Sequence, residues 1–553
     1  MASLFVFELA LPYTSRRDLS MARFRKFALL GALVAIPVVA SGFLLQSKSA
    51  PEGTLLLEQV LQLVSNRYVD TLTDNKLFEK AAHGLVRELN DPYSELLTPK
   101  DVKQFNTRTG GRYGGLGMLI EDQQGSITIS KVYRNTPAAA AGVRAGDRIV
   151  LVDTLSTRGW TLTQVSDYLT GTPGTRVNVR FGRPGVASPI DLKFTRALIK
   201  IPAVPYTLVF DGKIGYLPLE VFNENAAEET QAAIKKLTAE GAKGIILDMR
   251  NNPGGILNQS LDISKLFLKP GQRILSVRGR ADSTDYNSDK TPIVPATPLV
   301  VLVDPYTASA SEIVAGALQD HDRAVILGET SFGKGLVQSV YSLDGGYALK
   351  LTTAKWYTPS GRSIQRERKI IDGRIVDDGP DTTVTEATKK NRPAYKSDAG
   401  RTVYGGGGIT PDLIVGVDTL TTPEQLFVRT MAPKSQDFYL VLSDYSLELS
   451  KQVQPGFPID PAWREEFYKR LQSKGAVVDR KVFDGAQRYV DRTLEQRVAS
   501  FAQGDSSAKR RDLQYDAPLR QAISILQKGQ TQRELFAIAT AMTPVREAKP
   551  RLK

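Results

Sequence analysis

Short runs with almost no polar residue recur between Ile214 and Leu327, and they constrain the fold more than any other feature of the chain. Ile214 to Leu219 and Gly244 to Met249 are two of them, separated by helix-periodic sequence from about Ala226 to Glu240. A second helical pattern, Asn258 to Phe267, precedes the runs Val300 to Val303 and Ala324 to Leu327. Strands of this kind, alternating with helices, predict βαβ units with parallel pairing and right-handed crossovers.

Two of these runs lead into residues that carry chemistry. The first stops at Asp304-Pro305, after which small residues take Ser309 and Ser311 into a helix-like pattern. The second leads into a glycine-flanked loop holding Lys334. Ser309 and Lys334 are thus predicted just past the ends of adjacent strands, the edge at which open α/β sheets bind ligands. A serine hydroxyl needs a base to take its proton, and the chain has no cysteine and only two histidines, His83 and His321. Lysine is therefore the candidate base, and burial is what lowers its pKa enough for it to act. The missing cysteines also exclude disulfides, thiol nucleophiles and thiolate metal sites. Earlier in the chain, the turn at Asn252-Pro253-Gly254-Gly255 follows a strand and precedes a helix. It offers backbone N–H groups to a developing negative charge, although taken alone it reads equally well as a tight turn.

Three alternatives stay open on the residues alone. Gly328 to Lys334 matches the G-x-x-x-x-G-K part of a phosphate-binding loop, but Gly335 stands where Ser or Thr is needed, and the sequence that follows alternates like a strand. Ser309 and Lys334 also read as a helix cap and a surface residue. Spacing does not choose between Ser309 and Ser311.

At 553 residues the chain is too long for one core, so several domains are expected. Its net charge of +13 is mixed with acidic residues nearly throughout, which disfavours nucleic acid as a partner. Residues 1–50 read as an extension plus a signal or anchor segment, since Phe27 to Leu45 carries no charge and is long enough to cross a bilayer. Export, and membrane attachment through that segment, are the expectation. Residues 51–109 read as a helical region with stripes at Leu55, Leu56, Val60, Leu63 and Val64 and at Leu77, Ala81, Leu85, Val86 and Leu89, broken at Asn90 to Ser94. Within that region His83 reads as structural. Residues 110–196 are β-rich, with a short helix expected over Asn135 to Ala145 and another over Thr163 to Leu169. A glycine loop, Gly114 to Gly117, precedes the strand that starts at Met118; such a loop can hold a terminal carboxylate beside an open strand edge. Residues 413–553 read as a helical C-terminal domain.

The β-rich stretch resembles a PDZ domain, through the glycine loop, the segment Ala141 to Ile149 and Gly171-Thr-Pro-Gly174. The resemblance implies binding of peptide C-termini through Gly115, Leu116, Gly117 and Met118. From Leu55 to Asp412 the chain resembles a carboxyl-terminal processing peptidase, or tail-specific protease, of the S41 serine peptidase family. The motifs that carry this are Tyr68-Val69, Asp91 to Ser94, Gly244 to Gly255, Ala308 to Ile313, Gly328 to Gln338 and Gly406 to Asp412. The resemblance implies a multidomain α/β protein with a ClpP/crotonase-like protease core over 197–412. It puts the nucleophile on Ser309, the base on Lys334, a lysine-orienting residue on Gln338 and an accessory acid on Asp320. Ala310 and Gly254 or Gly255 become the oxyanion donors. It further implies an exported periplasmic endopeptidase, anchored at the inner membrane, that cuts proteins with apolar C-termini and needs neither cofactor nor metal. A homo-oligomer or an adaptor fits the sequence without being specified by it. Thr170 departs from the family pattern, which often has arginine there. A non-catalytic PDZ scaffold is the competing expectation.

Overall fold

The computed structural model describes residues 52–542 except 124, 134, 184–185, 372–373 and 378–391. The expected signal or anchor stretch, 27–45, lies outside them, and no helix among the described residues is long and apolar enough to cross a membrane. The chain forms two compact units, the first ending at Leu85 and the second beginning at Val86. The first contains helix Glu52–Arg67 and most of helix Asp74–Arg87. Of one predicted stripe, Leu55, Leu56, Val60 and Leu63 are exposed and Val64 is half-buried.

In the second unit, strands Met118–Gln123, Ser126–Val132, Arg148–Val152, Arg176–Gly182 and Ile190–Thr195 form an antiparallel sheet closed by helix Leu162–Leu169. Its core is Leu116, Ile127, Ile129, Val152, Val165, Val179 and Phe181. Strands Arg112–Gly115 and Ala197–Lys200 pair where the chain enters and leaves this module. The helix expected over Asn135 to Ala145 is a single turn, Pro137–Ala140. Left-handed backbone at Asn135, Gly142 and Gly146 bends the chain away on both sides.

The α/β core is a six-stranded sheet in the order Leu208–Phe210, Ile214–Pro218, Gly244–Asp248, Leu299–Val303, Val325–Gly328, Leu413–Ile414. Only the first pair is antiparallel. Side chains alternate along each strand. Ile245, Leu247, Val301 and Val303 point to one face and pack against helices Ala226–Ala239, Leu257–Lys265 and Ala310–Asp320. Ile246, Val300, Leu302 and Leu327 point to the other and pack against Leu519, Ala522, Ile525 and Leu535. The second face is thus covered by helices Ala517–Lys528 and Gln532–Met542, from the far end of the chain. Of residues 413–553, which the sequence groups as one domain, the described part, 413–542, is divided between two cores. Helices from Thr422–Met431 to Gln487–Gln503 gather around Phe427, Phe438, Phe467, Phe483 and Leu494.

A second sheet receives the chain after Lys334. Strand Leu336–Ser342 pairs with Ala348–Tyr357, which also pairs with Glu95–Leu97 and Arg273–Gly279. The hairpin from Arg273–Gly279 to Ser283–Asn287 was not expected from the sequence, because its second strand is almost wholly polar and exposed.

Candidate active site

Val303 and Gly328 pair in register near the carboxyl ends of adjacent parallel strands. Ser309 and Lys334 each stand six residues further on. Ser309 caps helix Ala310–Asp320 with φ 55 and ψ −114, a backbone region that costs a residue with a side chain about 1–3 kcal/mol. The surroundings hold it there. Its N–H donates to Glu312 Oε2 at 2.8 Å, and the neighbouring Ala308 N–H donates to the Asn252 carbonyl at 3.0 Å.

Glu312 is fully buried and joins the two loops. Its Oε2 also accepts the Lys334 N–H at 2.8 Å, while Oε1 accepts the Ser331 hydroxyl at 2.5 Å and the Gly333 N–H at 2.6 Å. Two nitrogens bound to one oxygen can be no further apart than the sum of the two bonds, so the backbones of Ser309 and Lys334 are close neighbours. Burial pushes the Glu312 carboxyl up, and hydrogen bonds from Ser331, Lys334, Gly333 and Ser309 oppose it.

Lys334 is half-buried. Its Nζ lies 4.9 Å from the centre of the Tyr93 ring, and the Trp356 indole N–H donates to its carbonyl at 3.1 Å. Tyr93 is itself held in place. The Asp91 carboxylate accepts the Tyr93 N–H at 3.1 Å and the Ser94 hydroxyl at 2.5 Å, and the Tyr93 hydroxyl accepts from Arg368 at 3.0 Å. Burial lowers the Lys334 pKa to about 8; Lys350 adds to the shift, while Glu312 and Asp91 oppose it. The amine is directed at Tyr93 and makes no hydrogen bond to Ser309 Oγ.

The glycine turn closes the corner. A Cβ on Gly254 would fall 2.7 Å from the Ala308 carbonyl oxygen and 2.9 Å from the Ala310 nitrogen, and its φ is 92, so glycine is required. The Gly254 N–H donates to Asn252 Oδ1 at 2.9 Å. The N–H groups of Gly255 and Ala310 have no partner among the described residues. Of the two glycines proposed from the sequence, Gly255 is therefore the one with a donor to offer.

Two other expected residues are placed differently. Gln338, beside a bulge, donates to Thr352 Oγ1 at 3.4 Å and not to Lys334. Asp320 lies at the opposite end of the serine's helix, about 16 Å away at 1.5 Å per residue. It is buried there, paired with Arg362 at 2.7 Å and accepting from the Thr358 hydroxyl at 2.5 Å and the Ser360 N–H at 3.0 Å. The structure does not bring it to the serine. Ser311, which spacing left open as the nucleophile, is fully buried and donates its hydroxyl to the Asn252 carbonyl at 3.1 Å. Glu312 and Tyr93 were not anticipated in their roles. The Ser-x-x-Glu spacing from Ser309 was a legible helix-capping signal, but the ring over Lys334 depends on contacts remote in sequence.

The β-rich module carries a groove of about 770 Å³ between strand Met118–Gln123 and helix Leu162–Leu169. Leu116, Gly117 and Met118 line it, together with Tyr113, Lys103 and Arg108. Gly115 has no room for a side chain, because its Cβ would meet the Tyr113 ring at 2.5 Å. Burial pushes the Tyr113 phenol up to about 12; Tyr133 adds to this, and the backbone N–H groups of Gly117 and Met118 oppose it.

Comparison with known proteins gives the class to which this fold belongs, a PDZ-containing peptidase. A family model for peptidase family S41 matches residues 213–375, a PDZ domain model matches 128–183, and a model described as the activating protease CtpB N-terminal domain matches 45–100. The chain belongs to the carboxy-terminal processing protease family. It is 41% identical over 312 residues to the carboxy-terminal-processing protease of Bartonella bacilliformis, covering 55% of this chain and 71% of that protein. It is 33% identical over 343 residues to the carboxy-terminal processing protease CtpA of Bacillus subtilis, covering 62% and 73%. The solved structure of a photosystem II D1 C-terminal processing protease is similar at 30% identity with a TM-score of 0.34, over 57% of this chain and 91% of that one.

Proposed function

We propose that the chain is an exported endopeptidase of the bacterial cell envelope, anchored at the inner membrane through residues 27–45, that captures apolar C-terminal tails in its PDZ groove and cuts peptide bonds with Ser309 and Lys334. The observation that carries this reading is the single Glu312 oxygen accepting N–H bonds from both residues. It holds a serine at a helix start beside a lysine whose pKa burial lowers to about 8. Neutral Lys334 takes the Ser309 proton as Oγ attacks the scissile carbonyl. The N–H groups of Gly255 and Ala310 hold the resulting oxyanion, where each donor is worth a large factor in rate. Protonated Lys334 then gives its proton to the leaving amine, and water activated by the same lysine hydrolyses the acyl-enzyme. In the PDZ groove, the backbone N–H groups around Leu116, Gly117 and Met118 receive the substrate's terminal carboxylate.

The test is cleavage of proteins ending in apolar tails, with products mapped by mass spectrometry. Wild type cuts, whereas Ser309→Ala and Lys334→Ala bind the same tails without cutting. Turnover retained by either variant overturns the dyad. Failure of wild-type Ser309 to react with an acylating probe returns the chain to a non-catalytic scaffold.

A further inference from the structure

The turn that carries Gly255 is braced from one side by residues near its own strand and from the other by the far end of the chain. Arg250 opens the turn. Its backbone N–H donates to Asp248 Oδ1 at 3.1 Å, its Nε to the same oxygen at 2.9 Å, and one terminal nitrogen to Asp248 Oδ2 at 2.6 Å. The outer edge of the same guanidinium makes a two-point contact with Asp516, at 2.8 and 2.9 Å. Asp516 is buried and also receives Lys509 Nζ at 2.6 Å and the Leu519 N–H at 3.0 Å. Beyond Asp248, the Tyr216 hydroxyl donates to that carboxylate at 2.9 Å. Two carboxylates and two cations thus neutralise one another out of water, and removing any one of them costs stability.

We infer that Asp516, from the C-terminal helical segment, is a positioning residue for the catalytic turn, acting through Arg250 to hold Gly255 where its N–H meets the oxyanion. This rests on the proposed roles of Ser309 and Gly255. Several turn residues have other supports. The Asn251 N–H donates to Asp304 at 3.0 Å, the Asn252 amide to the Leu219 carbonyl at 2.6 Å, and the Ile256 N–H to the Phe222 carbonyl at 2.8 Å. Arg250 has no comparable second anchor on its outer edge: besides Asp516, the pocket beside it is lined by Tyr216, Asp248, Glu220 and Pro518. The S41 match ends at residue 375, so this support comes from outside the matched core. The fork-to-fork contact fixes direction as well as distance. Losing it lets the turn shift, and displacements near 1 Å can cost about 100-fold in rate.

The experiment uses the full chain, measuring kcat and KM on a tail-bearing protein at a temperature where every variant is folded, together with the rate at which an acylating probe labels Ser309. Asp516→Asn keeps the shape but presents an NH₂ to one edge of Arg250; it is expected to lower kcat and the labelling rate by roughly 10- to 100-fold with KM nearly unchanged. Lys509→Met removes the other ion pair of Asp516 and leaves Arg250 clamped, so it is expected to lower the melting temperature but keep kcat within about 2-fold. Asp516→Glu, which keeps the charge, is expected to recover part of the rate lost in Asp516→Asn. If Asp516→Asn melts lower yet labels and turns over like wild type, Asp516 is structural only and the inference is overturned. If Ser309→Ala still cuts, the reading of the site beneath it has failed instead.

Discussion

Replacing Glu312 with glutamine tests the corner at its most connected point. The carboxylate accepts four bonds, two at each oxygen. Glutamine offers one acceptor oxygen and one NH₂, so two donors lose their acceptor and face another donor instead. A hydrogen bond to a charged group contributes about 1.5–3 kcal/mol, which makes the expected loss about 3–6 kcal/mol, with Ser331 able to recover part by rotating its hydroxyl. That is a large share of the roughly 5–15 kcal/mol that holds a typical domain folded. Urea unfolding in a Ser309→Ala background, where self-cleavage cannot intervene, measures it. Activity gives an independent sign. The Glu312 charge raises the Lys334 pKa, so removing it moves the rising limb of kcat/KM to lower pH. A variant within about 0.5 kcal/mol of its parent, or a limb displaced upward, would refute the picture of an ionised, four-fold acceptor.

In the wild type, kcat/KM is expected to rise with pH through a limb near 8, because Lys334 is inactive with its proton on and burial lowers the pKa at which the proton leaves; a profile flat from pH 6 to 9 counts against it as the base. Gly254→Ala forces a Cβ against the Ala308 oxygen and the Ala310 nitrogen, and is expected to cost about 100-fold or more in kcat. Asp320→Asn breaks a buried pair with Arg362 and is expected to cost about 3–5 kcal/mol of stability while kcat of the folded enzyme stays unchanged; a selective loss of kcat would restore an accessory role. Tyr113→Phe removes the phenol that the Gly117 and Met118 N–H groups face. Peptides with a free C-terminal carboxylate should then bind roughly 2- to 10-fold tighter by calorimetry, and weaker binding would mean that the hydroxyl helps hold the carboxylate.

The strand ends were legible because the chain announces them with runs of buried β-formers, and parallel pairing then puts Val303 beside Gly328 without further information. What followed the strands was legible only as candidates. Ser309 and Ser311 look alike in sequence; the difference lies in a carbonyl some 60 positions earlier, Asn252, that occupies the Ser311 hydroxyl. Asp320 is an acid on Ser309's own helix, but eleven residues of helix carry it away from the serine and into the arms of Arg362. Tyr93 could be seen as part of a turn, Asp91 to Ser94, and not as the ring over Lys334, because that contact spans more than 200 residues. The helices after Thr422 share one amphipathic pattern. Nothing in that period says whether the partner is another helix, as for Phe467, or the sheet, as for Leu519 and Ile525.

The position of those last helices also dictates an order of events. A chain is made from its amino end, so the face of the sheet formed by Ile246, Val300 and Leu302 stays uncovered until Leu519 to Ala539 have been synthesised. The amide side chain of Gln532 then reaches across 233 positions to bond both polar groups of the Leu299 backbone. Serine, lysine and both glycines are all in place in the growing chain long before that closure. A chain built this way closes the second face of its sheet last, and a chain released early carries Ser309 and Lys334 on a sheet still open on that side.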